Sequence, residues 1–270
     1  MEPLPFHPDT ARLAAFLGLL VLLALGERLW PCRPLTVARA VRWRINLAIV
    51  ALDSVVVRLV LPLAPFALAA VLQDRGWGLF NVLSLSGPAE IIASVLLLDL
   101  TIYAQHRLFH HLPLLWRIHR MHHTDLDLDV TSGTRFHPVE IVLSLAIKLA
   151  VIVVLGSSPL AVVLFEIVLN ATSMFSHANL RLPPPVDRWL RLVVVTPDMH
   201  RVHHSVIVRE TNSNYGFNLP WWDRLFGSYR AQPGDGHLGM TIGLREWRHQ
   251  ADLGLWSLLQ IPFLRKVPGQ

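Results

Sequence analysis

Apolar residues fall in five long runs, at 11–25, 47–72, 90–104, 139–155 and 160–175, with polar stretches between them. A helix needs about 20 mostly apolar residues to cross the hydrocarbon of a bilayer. Several runs are near the lower limit, so the pattern predicts four or five spans, some of them tilted. Pro62 and Pro65 interrupt the second run, and Gly156-Ser157-Ser158-Pro159 marks a turn between the fourth and fifth. Leu182-Pro183-Pro184-Pro185 reads as a stiff extended connector, and residues 186–195 as a helix lying in the membrane interface. The expected fold class is all-α: a multi-span helical membrane protein with a histidine-rich helical cap.

Composition supports the membrane reading. The 270 residues are 53% hydrophobic and only 16% charged, too apolar for an ordinary soluble domain. A single cysteine, Cys32, excludes a disulfide framework and a cysteine-ligated metal cluster. The net charge of +5 is carried almost wholly by arginine. No basic run alternates with stacking aromatics, so lipid headgroups suit this surface and nucleic acid does not. Residues 1–10 have no basic segment ahead of the first apolar run, so no cleaved signal is expected. Arg28, Arg33, Arg39, Arg42 and Arg44 crowd the loop after the first run, whereas the loop after the second has only Arg75. The positive-inside rule then puts the arginine-rich loop in the cytoplasm. The arginine-rich composition suggests a bacterial inner membrane.

With that orientation, ten histidines fall on the cytoplasmic side. His106 and His110 form an H-x-x-x-H; His119, His122 and His123 form an H-x-x-H-H; His200, His203 and His204 form another. His137 and His177 border the fourth and fifth runs. Positions i, i+3 and i+4 share one helix face, so each cluster is expected to point together. Ten imidazoles exceed what one metal takes, which implies two ions. An all-nitrogen set disfavours magnesium, manganese and calcium and allows iron or zinc. Two irons can activate dioxygen; zinc has no redox chemistry. H-E-x-x-H is absent. His111 sits about 100° round the helix from His110 and is expected off the site. His7, His237 and His249 have no spacing partner and read as surface residues.

Carboxylates inside apolar runs are costly unless paired or functional. Asp99, two turns before His106, and Asp198, two residues before His200, are candidates for orienting a ligating histidine. Asp53 with Arg58, and Lys148 with Glu166, are expected to pair internally. Asp125, Asp127 and Asp129 read as a solvated loop face.

The chain resembles the integral-membrane fatty acid hydroxylase / sterol desaturase superfamily over roughly residues 90–230. The matching pieces are Asp99-Leu100-Thr101-Ile102-Tyr103 leading to His106 and His110, Trp116-Arg117 leading to His119 and His122-His123, and Thr134-Arg135-Phe136-His137-Pro138-Val139-Glu140. They continue with His177-Ala178-Asn179, Thr196-Pro197-Asp198-Met199-His200 with His203-His204, Ser213-Asn214-Tyr215-Gly216, and the stretch from Trp222 to Tyr229. Ala104 departs from the family, which often has an aromatic there, and a changed pocket shape is expected. The resemblance implies N-terminal spans at 1–88, a catalytic domain at 89–230 and an extension at 231–270, folded as one unit. It implies a cytosolic cap in which the ten histidines hold two iron ions, with Asn179 beside them and Asn214, Tyr215 and Trp222 bracing the cap. It further implies use of dioxygen, and of electrons from a separate donor protein, to hydroxylate or desaturate a membrane lipid, sterol or other apolar chain. A histidine-rich metal transporter and a zinc-dependent membrane hydrolase are the alternatives.

Overall fold

A computed structural model describes residues 7–249 and 253–264. The described residues are helical, with two isolated β-bridges and no named strand. In chain order the helices are α1 (Pro8–Leu29), α2 (Arg39–Val60), α3 (Pro65–Asp74), α4 (Leu79–Val82), α5 (Gly87–His111), α6 (Pro113–His119) and α7 (Pro138–Leu155). They continue with α8 (Pro159–His177), α9 (Pro184–Leu190), α10 (Pro197–His203), α11 (Val208–Thr211), α12 (Trp221–Leu225), α13 (Gly236–Gly239) and α14 (Leu255–Gln260). Eight of them start with proline in the first two positions. Proline's fixed φ suits that position, and its missing N–H has no helical partner there to lose.

Five helical segments are long and apolar enough to cross a membrane: Pro8–Leu29, Arg39–Val82, Gly87–His111, Pro138–Leu155 and Pro159–His177. The chain is therefore a helical membrane protein. The second segment is broken where Pro62 and Pro65 predicted, since α2 ends at Val60 and α3 begins at Pro65. Between α9 and the triple proline the boundary differs from the expected connector. Pro184 and Pro185 form the first turn of α9, because proline is at home there.

The apolar core joins α3, α5, α7 and α8 through Ala69, Leu72, Leu98, Ile102, Ile152, Val162 and Phe165. At the α7–α8 turn Gly156 adopts φ +67°, and a Cβ on Gly78 would lie 2.4 Å from its Cα. Only glycine permits that backbone approach.

The first two helices grip the cap directly. Glu27 of α1 accepts from Val130 N at 2.7 Å and Asn179 N at 2.8 Å. Arg42 of α2 binds both Asp125 oxygens (3.0 and 2.7 Å), the Asp127 carbonyl and Ser132 Oγ, and it ion-pairs with Asp129. Asp127 accepts from the backbone of Thr36 and Val37. The three aspartates are buried, so the expectation of a solvated face is corrected. Arg42 pairs with two of them, Asp125 and Asp129, and an apolar helix can hold that guanidinium only because the carboxylates face it. Although burial raises the Asp125 carboxyl, Arg42 and Arg135 pull it down to about 2.

Candidate metal centre

The cap histidines arrive from the ends of helices. His106 and His110 occupy the last turns of α5, His119 ends α6, His177 ends α8, and His200 and His203 lie on α10, with His204 capping it. The helix does not continue through the second cluster as its spacing suggested: α6 stops at His119, and His122–Thr124 forms a 3-10 turn. Nine rings converge into two buried groups. One contains His106, His110, His119, His123 and His203; the other contains His122, His177, His200 and His204; in each, the ligand atoms lie within 4.8 Å of one another.

Each H-x-x-H-H motif divides between the groups in a reciprocal way. His119 and His123, four apart, serve the first, and His122 serves the second. His200 and His204, four apart, serve the second, and His203 serves the first. Adjacent positions point about 100° apart on a helix, so one short segment can feed two centres. The groups are in contact: the His123 and His204 rings stack at 4.6 Å, and His200 and His203 at 5.0 Å.

Tautomers are fixed by oxygens outside each group. Nδ1–H donates from His106 to Tyr215 O (2.7 Å), from His203 to Ser213 O (2.7 Å) and from His177 to Ser173 O (2.7 Å). His122 reaches Arg135 O at 3.1 Å, His119 reaches Glu140 Oε1 at 2.7 Å, and His110 reaches Asn212 Oδ1 at 3.2 Å. In each neutral ring Nε2 is then a bare lone pair. These lone pairs face one another: His106 and His119 Nε2 at 3.1 Å, His122 and His177 Nε2 at 3.1 Å. His203 Nε2 is buried with no hydrogen-bond partner. Metal–nitrogen bonds of roughly 2.1 Å set neighbouring donors roughly 3.0–3.4 Å apart. The spacing and the converging lone pairs thus fit a cation in each group. Burial holds the imidazoles neutral, as ligands must be: His119 is pushed down to about 3, and His122, His123, His200, His203 and His204 well below their ordinary value.

A single loop supplies three of those acceptors, from Asn212, Ser213 and Tyr215. Asn214, at φ +53°, anchors it by donating to Met199 O and Arg230 O, both at 2.8 Å. Asp223 accepts from Tyr215 N and Gly216 N, both at 2.8 Å.

Residues 91–228 match the family model described as fatty acid hydroxylase. The chain belongs to the fatty acid hydroxylase family. It is 31% identical over 181 residues to an ornithine lipid hydroxylase of Rhizobium tropici, covering 66% of this chain and 51% of the relative. It is 28% identical over 158 residues to an alkylglycerol monooxygenase of Homo sapiens (58% and 34%). It is 28% identical over 184 residues to a Delta(7)-sterol 5(6)-desaturase of Aspergillus fumigatus (59% and 52%). The chain therefore spans about half the length of these relatives, or less. No solved structure matches it.

In this fatty acid hydroxylase family member, nine of the ten expected histidines lie in the two groups. His137 does not. It caps α7, with Nδ1 accepting from Val139 N at 3.2 Å, while Nε2 lies 3.2 Å from Leu259 O. Proline at the next position fixes that helix start and keeps the ring at the helix end. His111 is exposed and bonds back to Arg107 O. His7 and His249 are exposed. His237 is half-buried, 3.8 Å from Asp198, rather than a plain surface residue.

None of the three polar candidates for orienting a ligand touches a ligating ring. Asp99 accepts from Trp222 Nε1 at 2.8 Å and from the backbone of Asn218 and Leu219, so it ties α5 to the 212–228 loop. Asp198 pairs with Arg201. Asn179 exchanges hydrogen bonds with the Arg33 backbone. Lys148 pairs with Glu166, as does Arg12 at 3.4 Å. Arg58 is exposed and no ion pair joins it to Asp53 among the described residues.

The carboxylate that does orient a ligand is Glu140, which the sequence presents only as the end of a motif and not as a partner of His119. Its signal was its place three residues after His137, facing back from the first turn of α7. Arg42 and Glu27 were also missed as cap supports; each is a charge at the margin of an apolar run.

Proposed function

We propose that this chain is a membrane oxidoreductase that hydroxylates or desaturates an apolar lipid, sterol or similar chain, using dioxygen and two iron ions held by the nine grouped histidines. The observation that carries the reading is the pair of buried imidazole groups at one end of the apolar helices. The similarity to lipid hydroxylases, a monooxygenase and a sterol desaturase supports the reaction class. Iron bound there would supply the redox chemistry that dioxygen activation needs and that zinc lacks. The chain's own residues fix the imidazole tautomers through backbone carbonyls and Glu140, and the buried shell excludes water.

The balance for hydroxylation is one dioxygen, two electrons and two protons consumed, with one hydroxyl on carbon and one water formed. Desaturation uses the same inputs, removes two hydrogens from the chain and forms two waters. A donor redox protein supplies the electrons. The arginines beside the cap end of α1 and α2 support a cytoplasmic cap by the positive-inside rule.

Purified protein loaded with ferrous iron, a chemical reductant and a membrane lipid extract is expected to consume oxygen. Mass spectrometry should then show lipid that has gained one labelled oxygen or lost two hydrogens. His203→Ala should abolish both signals. A zinc-loaded protein that acts on the lipid without oxygen, or an iron-loaded one that transports metal and consumes no oxygen, would overturn the proposal.

A further inference from the structure

Phe136 and Phe217 each lie against ligating rings from both histidine groups. Phe136 stacks on His122 of the four-histidine group at 4.5 Å and on His119 of the five-histidine group at 6.3 Å. Phe217 meets His106 of the five-histidine group at 5.0 Å and His200 of the four-histidine group at 6.4 Å. The two phenylalanine rings are themselves 6.4 Å apart, within the range of aromatic contact. Phe109, Trp116 and Tyr215 also touch ligating rings, but only those of the five-histidine group. Phe136 and Phe217 therefore cover the seam between the groups. Phe217 also packs against the apolar core of α3, α5, α7 and α8, so the covered side faces the spans. The outer nitrogens of the ligands meet polar atoms instead, such as Tyr215 O, Ser213 O and Ser173 O. Both phenylalanines are half-buried, whereas His106, His119, His122 and His200 beneath them are only 1–2% exposed. Accessible surface reaches the aromatic pair and stops there.

We propose that Phe136 and Phe217 select what reaches the metal groups from the apolar side, admitting a single unbranched chain and rejecting a fused-ring skeleton. A carbon held between two ring faces needs roughly 3.5–4 Å to each, more than rings 6.4 Å apart leave. A ring must therefore swing aside before any substrate carbon meets the seam. A thin chain needs one ring displaced; a rigid polycycle, wide in two directions, needs both. The proposal rests on the reading of the grouped histidines as a centre that oxidises an apolar substrate, and it narrows that substrate from lipid or sterol to a linear chain. Both phenylalanines determine specificity by their bulk and neither donates, accepts or moves a proton. Bracing of His122 and His106 alone would keep metal bound but would not sort ligands by girth.

The test loads the full chain in detergent with cobalt(II), which takes the same imidazole donors, and mixes it with 1-decanethiol or 1-adamantanethiol. The charge-transfer absorption of the cobalt-bound thiolate reports the rate at which each probe arrives. Wild type should take up the linear thiol about tenfold faster than the caged one, the usual scale of discrimination by pocket size. Phe136→Ala and Phe217→Ala should each erase most of that difference by speeding the caged thiol, with cobalt content at the wild-type level. Equal rates for the two thiols in wild type, or wild-type selectivity in both alanine variants, would overturn the proposal. Should an alanine variant lose cobalt, Phe136→Leu and Phe217→Leu, which stay apolar and fill more of the space, replace it. Loss of cobalt from the leucine variants too would assign the rings to the fold alone. These readouts need no turnover: selection by girth in a protein that oxidises no lipid would sink the reaction proposed above and leave the aromatic pair standing.

Discussion

His137 and Glu140 lie three residues apart, one at the start of α7 and one in its first turn, and it is Glu140, not the expected ligand His137, that touches the histidine groups. Glu140 Oε1 accepts a hydrogen bond from His119 Nδ1–H, which leaves Nε2 free to face the five-histidine group. A carboxylate in that position raises ligand basicity and holds the ring. Glu140→Gln should therefore weaken metal retention in that group by about 10- to 100-fold, measured as bound metal per chain against a competing chelator; unchanged retention would show that the carboxylate serves only the fold. His137 has both ring nitrogens engaged away from the groups. His137→Ala should keep the full metal complement of wild type, whereas His122→Ala should lose metal from the four-histidine group. Metal analysis of the two variants side by side decides it, and equal losses would restore His137 to the ligand set.

At the scale of elements, the segment from His119 to His137 has no long helix of its own; Met121, Leu128 and Val130 are buried in three separate apolar clusters, and polar contacts from other elements fix the rest of its shape. Arg42 on α2 holds Asp125, Asp129, Ser132 and the Asp127 carbonyl at once, and Arg135 donates to Thr124 Oγ1 at 2.7 Å just beyond His123. Removing one member of a buried charge cluster leaves its partners uncompensated, typically at a cost of about 3–5 kcal/mol. Arg42→Ala is thus expected to lower the unfolding midpoint and to release metal from both groups, because His122 and His123 serve different ones. Denaturation of detergent-solubilised protein, with metal content followed in parallel, tests this; a stable variant with intact metal would show that the 120–135 segment holds itself. The same dependence explains why the three aspartates looked solvated from sequence: alternation of Asp and Leu is a surface pattern until a buried arginine from a distant helix is placed opposite.

For the whole molecule, the concentration of neutral imidazoles makes stability depend on pH when no metal is bound. His119, His122, His123, His200, His203 and His204 are all held by burial below their ordinary value of 6.5. The unfolded chain takes up protons on these rings that the folded chain refuses. Stability is therefore full above about pH 6.5 and falls as pH drops below it, continuing down toward about 3 for His119. Each ring contributes a slope of about 1.4 kcal/mol per pH unit within its window, so several together make a steep loss. The chelator-treated protein should melt at markedly lower temperature at pH 5.5 than at pH 7.5, and iron should raise the midpoint at pH 7.5 by binding the folded chain. A midpoint that does not move with pH in the chelated protein would contradict the burial of the rings.

What the chain carries in its sequence are the local periodicities and the residue chemistry. The five apolar runs, the break at Pro62 and Pro65, the turn at Gly156-Ser157-Ser158-Pro159 and the gathering of histidines at span ends all follow from patterns within about twenty neighbouring residues, where hydropathy and helix geometry act directly. Tertiary structure alone decided which ring joins which group. His122 and His123 are neighbours in sequence yet serve different centres, because the side chains of adjacent residues diverge and only the approach of α8 and α10 determines what each meets. It likewise made Glu140, and not Asp99 or Asp198, the partner of a ligand, and turned Asp125, Asp127 and Asp129 inward. Hydrogen bonds and ion pairs act over about 3 Å, and no spacing along one chain reveals which distant atoms folding will bring to that distance.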